Sequence, residues 1–211
     1  MRTYKHWTPR YIYDRVAVML YEKKNPGTPW LTRQMIEILD EWLKPDDVGL
    51  EWGSGRSTLW FAKRLAHLTS IEDNPLWFEN IRQLLIFENL THKADYKLLK
   101  PLENGTPESD YVKAINPFPE NSLDFCLVDG TERDFCALAC IPKIKPGGII
   151  VIDNIERYIP RQVKTRSPNA RGKEDGFASK GWEEFGIIVA KWRCIWTSNG
   201  VSDTAFWVKP L

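Results

Sequence analysis

The chain has 211 residues, of which 43% are hydrophobic and 27% charged, with a formal net charge of +1. That is enough apolar material for one sizeable core, and it excludes bulk disorder. The near-zero net charge excludes a global pull toward nucleic acid or an anionic membrane, so either role would have to rest on a local patch. No apolar run approaches the ~20 residues of a membrane span. Residues 1–30 read as an N-terminal arm rich in Tyr, Arg, Pro and Trp, in which Asn25-Pro26-Gly27-Thr28-Pro29 breaks any helix. Met1 to Arg10 is polar and aromatic and does not read as a signal peptide. Residues 31–211 read as one domain without internal repeats. Thr32 is placed to cap a helix over Arg33–Leu43, whose apolar face carries Met35, Ile36, Leu39, Trp42 and Leu43.

A short strand, Val48–Trp52, then runs into a Gly-rich turn. A helix is expected over Ser57–His67, a second strand over Leu68–Glu72, and a helix from Pro75 through Leu76 to Asn89. Tyr96–Leu99 is a third strand, and residues 100–121, with four prolines, are loop-like. Leu123–Val128 is a fourth strand ending at Asp129-Gly130, followed by a helix over Arg133–Ile141. Ile149–Ile152 is a fifth strand, aliphatic throughout and therefore suited to burial on both faces. The segment 156–180 is polar and basic, with Arg157, Arg161, Lys164, Arg166, Arg171, Lys173 and Lys180 against Glu156, Glu174 and Asp175. A last helix spans Trp182–Lys191, and Arg193–Ser198 and Thr204–Val208 flank Asn199-Gly200 as a hairpin. This alternation predicts an α/β fold, a doubly wound parallel sheet closed by an antiparallel hairpin.

The four cysteines, Cys126, Cys136, Cys140 and Cys194, form no CxxC and have apolar neighbours. They read as buried free thiols in a reducing cytoplasm, which makes the expected location cytoplasmic. Ten tryptophans are core or rim, with Trp7, Trp30 and Trp52 as candidates for a pocket wall. His67 and His92 fall at helix ends and read as surface residues.

Ligands of an open parallel sheet bind beyond the carboxyl ends of its strands. Four strand ends here are acidic: Glu51, Glu72, Asp129 and Asp153. In the first turn, Glu51-Trp52-Gly53-Ser54-Gly55-Arg56-Ser57, Gly53 and Gly55 allow close approach of a ligand. A dinucleotide-binding loop would want a third glycine near position 58, where this chain has Thr58. The carboxylate before the glycines repels phosphate and suits a cation; S-adenosylmethionine carries a sulfonium and an ammonium. Glu72 follows Glu51 by 21 positions, the interval expected of a carboxylate taking a ribose diol.

Together, Glu-x-Gly-Ser-Gly after a strand, Ile71-Glu72-Asp73 after the next, Leu127-Val128-Asp129-Gly130, and Lys145-Pro146-Gly147-Gly148 before an aliphatic strand resemble the class I S-adenosylmethionine-dependent methyltransferases. The resemblance runs from about Leu31 to Leu211 and implies a seven-stranded sheet with its last strand antiparallel. It implies that Glu51, Gly53, Ser54 and Gly55 hold the amino-acid end of the cofactor, with Asp129 beside it, and that Glu72 holds the ribose. Ser57 stands in place of the third glycine of the fuller family pattern.

Asp129 with Asp153 and Asn154 also resembles the metal-binding set of catechol-type O-methyltransferases. That implies Mg²⁺ on Asp129, Asp153 and Asn154, an oxygen set suited to it. Those enzymes carry a Lys where this chain has Glu132. The alternative is that Asp129 faces the transfer site without metal and Asp153-Asn154 caps the next helix. Asp129 or Asp153 is the candidate base or substrate-orienting group. Asn116-Pro117-Phe118 is similar to an amino-methyltransferase signature but precedes the fourth strand instead of following it.

The expected function is methyl transfer to oxygen or nitrogen of a small-molecule acceptor. The basic 156–180 segment keeps nucleic acid open as an acceptor; it reads either as a substrate lid or as a solvated loop. A non-catalytic S-adenosylmethionine-binding module and a nicotinamide-dependent oxidoreductase are the alternatives.

Overall fold

A computed structural model describes residues 7–102 and 105–211. Seven strands form one sheet in the order β3-β2-β1-β4-β5-β7-β6. They are β1 (Val48–Trp52), β2 (His67–Glu72), β3 (Ala94–Leu98), β4 (Leu123–Val128), β5 (Ile144–Asp153), β6 (Arg193–Ser198) and β7 (Asp203–Val208). The first five run parallel, and β7 is antiparallel to both β5 and β6.

Side-chain alternation along the central strands explains their aliphatic sequences. On β4, Cys126 and Val128 face one core, whereas Phe125 and Leu127 face the other; on β5, Ile150 and Ile152 part from Ile149 and Val151 in the same way. Helices α2 (Arg33–Trp42), α3 (Arg56–Ala62) and α4 (Pro75–Phe87) cover the second face. The first is covered by α5 (Asp110–Lys113), α6 (Arg133–Lys143) and α7 (Lys180–Val189).

Several boundaries differ from expectation for local reasons. The N-terminal arm contains α1 (Pro9–Lys24), capped by the Thr8 hydroxyl with Pro9 in its first turn. The Asn25–Pro29 run ends this helix instead of preventing one. Its apolar residues Ile12, Tyr13, Val16, Met19 and Leu20 stand exposed, and its one buried residue is Asp14. That carboxylate lies 3.5 Å from Arg166. Helix α3 stops at Ala62, short of His67: the amides of Arg64 and Leu65 both turn back to the Phe61 carbonyl at 2.9 Å, and Ala66 N–H bonds Asp47 O at 2.9 Å. That bond carries the chain beside β1, so His67 opens β2.

The 100–121 region contains the short α5, with Tyr111 and Val112 buried. The 156–180 segment holds two 3₁₀ turns, one of which, Lys173–Asp175, lies wholly inside it while the other begins at Ile155. Its Thr165 and Ser167 hydroxyls donate to buried Asp203 at 2.6 Å, and Arg171 N–H bonds Glu156 O at 2.9 Å. Cys126, Cys136 and Cys140 are buried free thiols, whereas Cys194 on edge strand β6 is exposed. Among the described residues, no helix is long and apolar enough to cross a membrane.

Candidate functional site

The strand register brings the acidic ends to one edge. Trp52 pairs with Ile71 and with Val128, and Val128 with Ile152. Glu72, Asp129 and Asp153 therefore stand level with Gly53 at the ends of β2, β4 and β5, with Glu51 two residues below on β1. Gly53 turns the chain out of β1 at φ +89°, and a Cβ there would lie 2.6 Å from the Gly130 nitrogen. A Cβ on Gly130 would strike the Tyr111 hydroxyl at 1.9 Å. The β1 and β4 turns thus pack backbone on backbone, which only glycine allows.

Glu51 is fully buried. Its Oε1 accepts from the hydroxyls of Thr58 and Ser70, the latter at 2.7 Å, while Oε2 is buried with no partner. Burial pushes its carboxyl up to about 7, opposed by the Thr58, Ser70 and Ser57 hydroxyls and assisted by the nearby Glu72 charge. An unpaired carboxylate oxygen in such a place is costly, and an added cation or donor would relieve it.

Glu72 is fully engaged. Its Oε1 accepts from the amides of Asp73 and Asn74, at 3.0 and 2.9 Å. Its Oε2 accepts from Ser54 N–H at 3.1 Å and from the Ser54 hydroxyl, which also contacts the Tyr96 hydroxyl at 2.7 Å. The carboxylate shapes the glycine turn as well as facing the edge.

Between Asp129 and Asp153 sits a guanidinium that sequence reasoning missed. Arg133 opens α6 and donates through Nε to Gly130 O at 2.8 Å. Its Nη2 reaches Asp129 O at 2.5 Å and Oδ1 at 2.9 Å; Nη1 reaches Asp153 O at 2.7 Å and Asn154 Oδ1 at 3.5 Å. The Asp153 carboxylate turns instead to the Thr204 hydroxyl, at 2.6 Å. Burial raises both aspartates above the usual carboxylate range, with Arg133 drawing them back. An arginine four positions after the strand-end aspartate was the available signal.

Glu132 has a role of its own: it accepts from Thr106 N–H at 2.9 Å and the Ser109 hydroxyl at 2.5 Å, fastening the 105–110 stretch to the start of α6. Of the three candidate tryptophans, Trp52 is core, its Nε1 donating to Tyr111 O at 2.8 Å. Trp30 lies near the glycine turn, stacked on Trp77, whose Nε1 donates to Ser54 O at 2.8 Å. Trp7 is exposed on the N-terminal side of α1. His67 opens β2 at the opposite edge of the sheet, and His92 is exposed.

No protein-family model matches the sequence, and no curated protein is significantly similar to it. Solved structures do match in fold. An O-methyltransferase from Bacillus cereus in complex with SAH is 16% identical, with 93% of this chain and 91% of that one covered at a TM-score of 0.60. An rRNA methylase from Streptococcus thermophilus is 10% identical over 85% and 98%, at 0.57. Precorrin 8w decarboxylase from Methanobacterium thermoautotrophicum is 19% identical over 89% and 95%, at 0.54. The fold is that of the class I S-adenosylmethionine-dependent methyltransferases. The predicted seven strands and antiparallel last strand of that class are both present.

Within this methyltransferase fold, the Asp129, Asp153 and Asn154 set does not fit a divalent metal. The physical reason is Arg133, whose fixed cation already lies against Asp129 and Asn154, while Asp153 faces Thr204. A second cation there would meet direct repulsion.

Proposed function

We propose that this chain is an S-adenosylmethionine-dependent methyltransferase acting on an oxygen or nitrogen of a small-molecule acceptor. The observation that carries the reading is the fully buried Glu51, with an unpartnered oxygen, at the root of the Gly53–Gly55 turn. Glu51 would hold the cofactor's ammonium, the glycine turn its amino-acid chain, and Glu72 its ribose, in exchange for the Ser54 hydroxyl. Bound there, the cofactor supplies a methyl carbon already activated by sulfonium. The protein's own part is alignment, plus a group that orients or deprotonates the acceptor.

Asp129 suits that part better than Asp153. Its side chain is 28% exposed and is held by Arg133, whereas Asp153 is 4% exposed and tied to Thr204. Five cations of the basic segment have partners within the chain. Arg157 lies near Glu156, Lys164 near Asp175 and Arg166 near Asp14; Arg161 lies over Trp196, and Arg171 donates to Asp175 O and Gly176 O. This pairing favours a small acceptor over a phosphate-lined nucleic acid.

Isothermal titration with S-adenosylhomocysteine should give saturable binding. Folded protein that releases no heat at high-micromolar ligand, or that binds NAD instead, would overturn the assignment. Replacing Glu72 by Ala should weaken binding about ten- to a hundredfold, the scale of a lost hydrogen-bond pair to a charged group. Unchanged affinity would remove Glu72 from the ribose site. Mg²⁺ titrated into the protein should give neither binding heat nor a change in melting temperature; a saturable Mg²⁺ isotherm abolished by Asp129→Asn would restore the metal reading.

A further inference from the structure

Two buried charged atoms near the glycine turn lack a protein partner, and they have opposite signs. One is Glu51 Oε2; the other is Nη1 of Arg56, the first residue of α3. A third such atom, Glu156 Oε1, is 3.5 Å from Arg157 Nε. Glu51 and Arg56 stand five positions apart on either side of Gly53-Ser54-Gly55. A buried donor left unpaired costs free energy in the unliganded state and rewards a ligand that pairs it.

The surroundings of Arg56 hold the guanidinium without satisfying it. Its Cζ lies 5.2 Å from the centre of the Trp30 ring. Trp30 stacks on Trp77 at 6.2 Å and 24°, and Trp77 is hydrogen-bonded to Ser54 O of the turn itself. A cation against an indole face gains attraction but forms no hydrogen bond through Nη1. Trp30 is 51% exposed and seals no core, so it can give way to an incoming group.

We infer that Arg56 takes the α-carboxylate of the cofactor, opposite Glu51 on the α-ammonium. This rests on the reading proposed above and adds a residue and a selectivity to it. Together the two side chains would offer opposite charges to a zwitterionic α-amino-acid group, with Trp30 and its stacked neighbour Trp77 beside Arg56. A guanidinium presents a planar fork to a carboxylate, which an ammonium does not.

The experiment compares two ligands, S-adenosylhomocysteine and decarboxylated S-adenosylmethionine, which keeps the amine and lacks the carboxylate. Binding to wild type, Arg56→Gln and Arg56→Lys is measured by titration calorimetry, with a melting curve on each protein. Arg56→Gln should lose about ten- to a hundredfold in affinity for S-adenosylhomocysteine, and Arg56→Lys less. Affinity for the decarboxylated ligand should stay within about twofold in all three, by the same conversion. Equal losses for both ligands, or none for either, would overturn the role of Arg56. Failure of wild type to bind S-adenosylhomocysteine at all would instead overturn the underlying cofactor assignment.

Discussion

Replacing Arg133 by Met should destabilise the fold by about 3–5 kcal/mol, the usual result of removing one partner of a buried ion pair. The side chain is 15% exposed and reaches five acceptor atoms on the ends of β4 and β5. Its loss would strip the carbonyls of Asp129, Gly130 and Asp153 of a shared donor. It would also leave the Asp129 carboxylate facing Asp153 with no cation between them. For a domain of this size the melting temperature should fall by roughly 10 °C. Arg133→Lys should recover only part of this, because one ammonium cannot span the same acceptors. Thermal and urea denaturation of the two variants provide the check. A loss below about 1 kcal/mol, the scale of an exposed ion pair, would mean that the guanidinium does not weld the two strand ends.

The same residue shows where legibility in the sequence stopped. Acidic residues at strand ends could be read because strands announce themselves by aliphatic runs and end at Gly or Asp. Their register then places Glu72, Asp129 and Asp153 on one level. Where each carboxylate turns depends on partners remote in sequence. Asp153 finds Thr204 on β7, 51 positions on. Arg133 could be read as the first residue of a helix, but its bridge from β4 to β5 requires the two strands to be neighbours. Glu132 was visible as a departure from a family pattern; its work, holding Thr106 and Ser109, was not. Helix α1 escaped for a different reason. Its apolar residues face solvent, so the period that marks a core-facing helix had no core to mark. The Thr8-Pro9 cap was the signal that could have found it.

Glu51→Gln should move stability and cofactor affinity in opposite directions. The wild-type carboxyl is pushed up to about 7, chiefly by burial. Between an ordinary value near 4.5 and that raised value, the folded protein keeps a proton that the unfolded chain releases. Stability contributed by this group is therefore lost as pH rises through that window, and stays lost above it. Gln fills the same space without a charge to desolvate. Near pH 8 it should be the more stable protein, by up to about 3 kcal/mol from the size of the shift, and near pH 4 the difference should vanish. The nearby Glu72 charge raises Glu51 further, and the Glu51 charge in turn raises Asp129, so these repulsions work with burial.

Binding has the reverse sign. A ligand ammonium needs the ionised carboxylate, so wild-type affinity for S-adenosylhomocysteine should rise about tenfold from pH 6 to pH 8. The Gln variant should bind roughly a hundredfold more weakly at pH 8 and show little of that rise. 5′-Methylthioadenosine, which lacks the amino-acid group, should be indifferent to both the substitution and the pH. Calorimetry at three pH values, beside melting curves in the same buffers, tests both halves. A variant that is less stable at pH 8, or that binds as tightly as wild type, would show that Glu51 serves the fold alone. Greater stability with weaker binding is what a carboxylate kept buried for a cationic ligand must produce.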